Sequence, residues 1–148
     1  MRACVQRVKR AHVSVNENIV GQIRHGIMVL LGVERGDTQA DADYIIKKLS
    51  SLRIFEDNDG KMNLSLADVH GEILLISQFT LLGDARHGRR PSFSDAAAPD
   101  EAQSLYAYVA DTLSDEFTVA RGVFGADMDV ELVNAGPVTL LLDSRKLF

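Results

Sequence analysis

Three hydrogen-bonding side chains, Ser77, Gln78 and Thr80, follow directly on an apolar run, Ile73-Leu74-Leu75-Ile76. The run reads as a strand buried on both faces. Polar groups entering a dry segment cost roughly 1–3 kcal/mol each when they lack a partner. One such hydroxyl is ordinarily satisfied by neighbouring backbone. Three together, with a second unusual stretch at Asn134-Ala135-Gly136-Pro137-Val138-Thr139, mark a candidate site. Gly before Pro frees the backbone and Pro permits a cis bond at modest cost, although most such pairs are plain turns with a trans bond. A third cluster, Arg86-His87-Gly88-Arg89-Arg90, is either a solvated loop or a local patch for phosphates.

Familiar catalytic signatures are missing. His12, His25, His70 and His87 are scattered without metal-ligand spacing. No glycine-rich loop has phosphate-cradling spacing, no Gly-x-Ser-x-Gly occurs, and no ordinary general base can be identified. Gly122-Val123-Phe124-Gly125 is too short a signal to use alone. Asp57-Asn58-Asp59-Gly60 has acidic spacing, but Lys61-Met62-Asn63-Leu64 does not continue a calcium loop, so it reads as a tight turn. Cys4 stands alone, which excludes an intrachain disulfide; in an alternating apolar segment it reads as a packed thiol.

The elements that must position these residues follow from periodicity. Residues 2–8 and 11–15 alternate as strands, Asn16-Glu17-Asn18 turns the chain, and Ile19–Ile23 returns. Ile27–Val33 is a central apolar strand. Asp37 is the expected N-cap of a helix whose stripe is Ala42, Ile45, Ile46, Leu49 and Leu52. Ile54-Phe55 is a short extended piece. Alternation through Ser77-Gln78-Phe79-Thr80 directs Phe79 into the core. Pro99 opens a second helix, with Asp100 and Glu101 favourable to its dipole and Ala102, Leu105, Tyr106, Val109 and Leu113 buried. Phe117–Ala120, Val130–Val133 and Leu140–Leu142 complete the strands.

The expected class is α+β: one compact domain over residues 1–148, with a strongly curved or barrel-like sheet and two main helices. No apolar run approaches a membrane span and the N-terminal stretch Met1-Arg2-Ala3-Cys4-Val5-Gln6-Arg7 has no signal-peptide core, so a cytoplasmic protein is expected. A net charge of −5 argues against bulk affinity for nucleic acid, though not against a local contact.

These segments resemble the D-aminoacyl-tRNA deacylases, once called D-tyrosyl-tRNA deacylases, over essentially the whole chain. The likeness runs through Met1-Arg2-Ala3, Gln6-Arg7-Val8, Leu31-Gly32-Val33, Arg53-Ile54-Phe55-Glu56 and Lys61–Ser65. It continues in Ser77-Gln78-Phe79-Thr80-Leu81, Gly88-Arg89-Arg90-Pro91-Ser92-Phe93, Gly122–Met128 and Asn134-x-Gly136-Pro137-Val138-Thr139. Leu82-Gly83-Asp84 departs from a Tyr-Ala-Asp type segment. The resemblance implies a cytoplasmic homodimer that proofreads translation by hydrolysing the ester between a D-amino acid and the tRNA 3′ end, and that also removes glycine from tRNA(Ala). It implies a catalytic stretch Ser77, Gln78, Phe79 and Thr80, and substrate contacts from Asn134, Ala135, Val138 and Thr139. A cis Gly136-Pro137, inserted into the partner subunit's site, would reject L-amino acids. It further implies tRNA contacts from Arg86, Arg89 and Arg90, and no metal or organic cofactor. Two other readings remain open: L-alanyl-tRNA editing with a trans Gly-Pro bond, and a noncatalytic RNA-binding module.

Overall fold

The computed structural model describes residues 1–148. In chain order it holds β1 (Arg2–Val15), β2 (Asn18–Ile23), β3 (Gly26–Gly32), α1 (Gln39–Ser51), β4 (Phe55–Glu56), β5 (Met62–Leu64), β6 (Glu72–Ser77), α2 (Pro99–Ser114), β7 (Val119–Arg121) and β8 (Asp129–Asp143). β1 and β2 form the expected hairpin through Asn16 and Glu17, both at positive φ, the twist that suits a tight hairpin. β3 continues the return along the first half of β1, and β8 runs antiparallel along the other edge. β6 joins β3 in parallel and β7 joins β6 in parallel, with α1 and α2 as the crossovers such pairing needs. The six strands form one nearly closed, barrel-like sheet, with β2 returning toward β7; β4 and β5 make a separate hairpin. No helix is long and apolar enough to cross a membrane.

The continuous apolar runs are explained by two cores. Ile27, Val29 and Leu31 of β3 and Ile73 and Leu75 of β6 pack with Ala42, Ile45 and Leu49 of α1 and Tyr106, Val109 and Leu113 of α2. The alternate residues Met28, Leu74 and Ile76 turn to the other face, against Val8, Ala11, Val13 and Ile23. A central strand with helices on one side and a curved sheet on the other has no wet face, so alternation disappears from its sequence.

Four expectations change on inspection. Residues 2–8 and 11–15 are one strand, with a pairing irregularity between Val8 and Arg10 instead of a break. The segments around 130–133 and 140–142 are likewise one strand, β8, which carries Asn134–Thr139 within it. The strand containing Ser77 ends there. Residues Phe79–Leu82 form a 3₁₀ turn, in which Leu82 is buried and Phe79 is 57% exposed, so Phe79 does not enter the core. The N-cap of α1 is Thr38, in a capping box with Asp41, not Asp37.

Asp37 has different work. Its fully buried carboxylate meets the equally buried Met1 ammonium at 2.7 Å, and its Oδ2 also accepts from the Glu34 N–H at 2.7 Å. Arg145 adds a contact to Asp37 at 3.4 Å and one to Glu34 at 3.2 Å, while Arg2 binds Asp143 at 3.1 Å. This cluster ties the start of β1 and the end of β8 to the β3–α1 connection.

Candidate active site

Where β6 ends, Gln78 donates its N–H to the Leu31 carbonyl at 2.8 Å, the last bond before the chain turns. The turn leaves Ser77 and Gln78 half-buried and Phe79 exposed, all three lining a cavity of about 560 Å³, while Thr80 is exposed and outside the lining. Leu31, Val33, Ile76 and Val130 line its sheet side, Ala97, Ala102 and Tyr106 its α2 side, and Phe124–Met128 the remaining wall. The Phe124–Met128 loop carries little chemistry legible in sequence: one glycine, three apolar side chains and the single carboxylate Asp127.

The cavity is poor in titratable groups. Its lining has no histidine, lysine, arginine or cysteine, and its one carboxylate is the exposed Asp127. Burial pushes the Tyr106 hydroxyl up to about 12, and that hydroxyl already donates to the Leu75 carbonyl at 2.8 Å, so it stays protonated and committed to the backbone. Thr80 accepts a hydrogen bond from the Gln78 amide, and no basic side chain is positioned to take its proton. Burial raises the Cys4 thiol, in keeping with a packed residue, and Cys4 is absent from the lining. What the site does offer is backbone: the leading N–H groups of the turn, at Phe79 and Thr80, have no acceptor inside it.

The second stretch gathers elsewhere. Thr139 pairs with Gln6 and Asn134 with Val8, so Ala135–Val138 bulge from the ladder opposite Arg7. The Thr139 hydroxyl donates to the Gln6 side chain. The Asn134 amide, turned so that its nitrogen faces carbonyls, donates to Arg7 at 2.8 Å and Val138 at 3.3 Å. The Gly136-Pro137 bond is cis, and both residues are exposed. Arg7 lies beneath them, only 6% exposed, donating to the Ala135 carbonyl at 3.0 Å and the Ile54 carbonyl at 2.7 Å, with Glu56 at 3.5 Å. Alternation puts Arg7 in register with Ala3 and Val5, on the buried face of β1, but the partners that a buried guanidinium needs lie in distant segments and cannot be read from the strand itself. Neither Gly136 nor Pro137 lines the cavity, so the two candidate stretches are not brought together within the chain.

In the basic loop, paired backbone bonds between Asp84 and Ser92 close the base. Arg86 is tied to Asp84 by two contacts of 2.8 Å, and this Arg86 side chain holds the Asp84 carboxyl down at about 2. Its charge is therefore offset. Arg89 and Arg90 are exposed and enter no salt bridge. Asp57 accepts the N–H groups of Asp59 and Lys61 at 2.9 and 3.0 Å, as a tight turn requires, and no group of three or more potential metal ligands exists in the chain.

A family profile described as D-Tyr-tRNA(Tyr) deacylase matches residues 4–143. The chain is 57% identical over its whole length to the full length of a D-aminoacyl-tRNA deacylase of Thermosipho melanesiensis. It is 58% identical, again with both chains fully covered, to one of Anaeromyxobacter dehalogenans. Among solved structures it is similar to a c-Myc DNA unwinding element binding protein, with a TM-score of 0.91, 39% identity and coverage of 97% of this chain and 98% of that one. A probable eukaryotic D-amino acid tRNA deacylase shares the fold at a TM-score of 0.80 and 20% identity, covering 96% and 98%.

Proposed function

The chain belongs to the D-Tyr-tRNA(Tyr) deacylase family of aminoacyl-tRNA hydrolases, and we propose that it releases D-amino acids, and glycine, from the 3′ end of tRNA while leaving L-aminoacyl esters intact. The observation that carries the reading is an apolar cavity lined in part by Ser77, Gln78 and Phe79, with Thr80 next along the turn, that contains no activated nucleophile and no histidine or lysine base. Such a site suits a substrate that brings its own activation. The aminoacyl ester is already reactive, and the tRNA 2′-hydroxyl lies next to it. Water adds to the carbonyl carbon, the bond to the 3′-oxygen breaks, that oxygen takes up a proton, and the free amino acid leaves. Positioning of the ester, with the Phe79 and Thr80 N–H groups as donors to the oxyanion, supplies the rate.

Thr80→Ala should then remain within roughly tenfold of wild type in single-turnover assays. A loss of about three orders of magnitude or more, the scale on which a missing nucleophile acts, together with a trapped acyl-Thr80, would replace this mechanism by covalent catalysis.

The tRNA contact falls to Arg89 and Arg90, with Arg86 shaping the loop through Asp84. Replacing both Arg89 and Arg90 by Ala should raise KM and leave kcat nearly unchanged. Two lost phosphate contacts should also flatten the slope of log affinity against log salt by roughly 1.4–1.8. A pure kcat loss with the salt slope intact would remove the loop from the interface.

Gly136 and Pro137 complete the site in trans. They are exposed on a bulge outside their own cavity, and β8, paired only with β1, leaves its outer edge open. A homodimer in which each subunit presents this dipeptide to its partner's cavity accounts for both features. A monomer at micromolar concentration with full activity would contradict it.

A further inference from the structure

Two aromatic rings stand at the rim with no part in the chemistry above. Phe79 is 57% exposed and Phe93 38% exposed, and they meet edge to face with ring centroids 5.2 Å apart. Phe93 is held from both sides. The Asp84–Ser92 bonds, 2.7 and 2.8 Å long, close the basic loop immediately before it, and its own carbonyl accepts from the Ala96 N–H at 3.1 Å. Its ring lies against Gly83, where a Cβ would stand 2.9 Å from Phe93 Cε1, so a bare backbone is what admits the ring there. Phe79 lines the cavity and Phe93 does not. Phe79 thus links the cavity to Phe93, and Phe93 follows directly on the closed loop that carries Arg89 and Arg90, which enter no salt bridge.

An exposed ring beside uncompensated guanidinium groups matches the chemistry of single-stranded nucleic acid, whose bases stack on aromatic faces and whose phosphates take the cations. We infer that Phe93 is a stacking platform for an unpaired base of the RNA 3′ strand, immediately upstream of the terminal nucleotide that carries the ester. The inference rests on the deacylase reading and adds a residue that grips the strand outside the reacting centre. Phe93 is a binding residue; it touches neither the ester nor the cavity.

The test compares two substrates that differ only upstream of the terminal nucleoside: D-alanyl-tRNA and 3′-O-D-alanyl-adenosine. Half-saturation is read from single-turnover rates with wild type, Phe93→Leu and Phe93→Trp. Stacking of one base on a ring contributes on the order of a tenfold change in affinity or more. Phe93→Leu should raise half-saturation for the tRNA ester by about that factor, leave the adenosine ester unchanged, and be rescued by Phe93→Trp. In parallel, a short RNA 3′ strand with 2-aminopurine at the penultimate position should be quenched by wild type and by Phe93→Trp, but not by Phe93→Leu. Equal weakening of both esters would mean that the ring only braces Phe79, and no change on either would mean that no base stacks there. Dissociation of an oligomer by Phe93→Leu in sedimentation would give the rings to a second copy of the chain. Each of these results overturns the inference. If wild type hydrolyses neither ester, the deacylase reading fails, and the 2-aminopurine titration still decides whether Phe93 stacks a base.

Discussion

Gly136→Ala is expected to slow hydrolysis of D-aminoacyl-tRNA by about 100-fold, the penalty that a displacement near 1 Å can impose on a positioned reaction. Gly136 sits at a φ of +117°, a region that L side chains rarely adopt. An added Cβ would also stand 2.5 Å from Arg7 Nη2 and 3.1 Å from Val138 Cγ2. Arg7 cannot give way easily, because its guanidinium is buried and bonded to Ala135 and Ile54. The bulge must move instead, and with it Pro137. Since the bulge is exposed, the cost to global stability should be only about 1–3 kcal/mol. Activity and chiral selectivity should therefore fall much further than the melting temperature. Wild-type rates on the D-ester with undiminished rejection of the L-ester would contradict the placement of this dipeptide against the substrate.

Asp37→Ala should act in the opposite sense, on stability before activity. Its removal leaves the Met1 ammonium, with no exposed surface, without its ion-pair partner and hydrogen-bonded to the Ser144 hydroxyl at 2.8 Å. Breaking a buried ion pair from one side costs roughly 3–5 kcal/mol. In a domain of this size that is a fall in Tm on the order of 10 °C. Asp84→Ala is the matched control. Its pair with the exposed Arg86 is screened by water, and the melting temperature should barely move. Equal melting of Asp37→Ala and wild type would show that the terminal cluster does not hold β1 and β8 to the body of the fold.

Periodicity read the fold well wherever one residue faces one environment. The β1–β2 hairpin, the stripes of α1 and α2, and the buried runs of β3 and β6 are all visible in the sequence because burial repeats along them. It failed where the chain departs from repetition. Phe79 follows a strand in sequence, but a 3₁₀ turn begins there and reverses the expectation. Arg7 occupies an apolar place in an alternating strand, in register with Ala3 and Val5, and is held there by the Ala135 carbonyl of the bulge and the Ile54 carbonyl, neither of which is near it in sequence. Asp37 looks like a cap because aspartate commonly caps; its partner is the chain terminus, remote from the helix pattern. The candidate site was legible as two polar stretches in apolar surroundings. Their separation within one chain was expected only from the family resemblance, because nothing in the local sequence says where a bulge will point.

On the proposed reading the site would reject by exclusion: a rigid wall would stand where an L side chain would point, with no pocket fitted to each D side chain. One small domain can serve many D-amino acids only in that way, and a wall cannot exclude a substrate with no side chain. Charging a single tRNA with D-alanine, glycine and L-alanine and comparing single-turnover rates with the purified protein tests this most directly. Rapid release of D-alanine and glycine is expected, with L-alanine left near its spontaneous rate. Glycine hydrolysed as slowly as L-alanine would contradict exclusion, and comparable D and L rates would contradict the assignment itself.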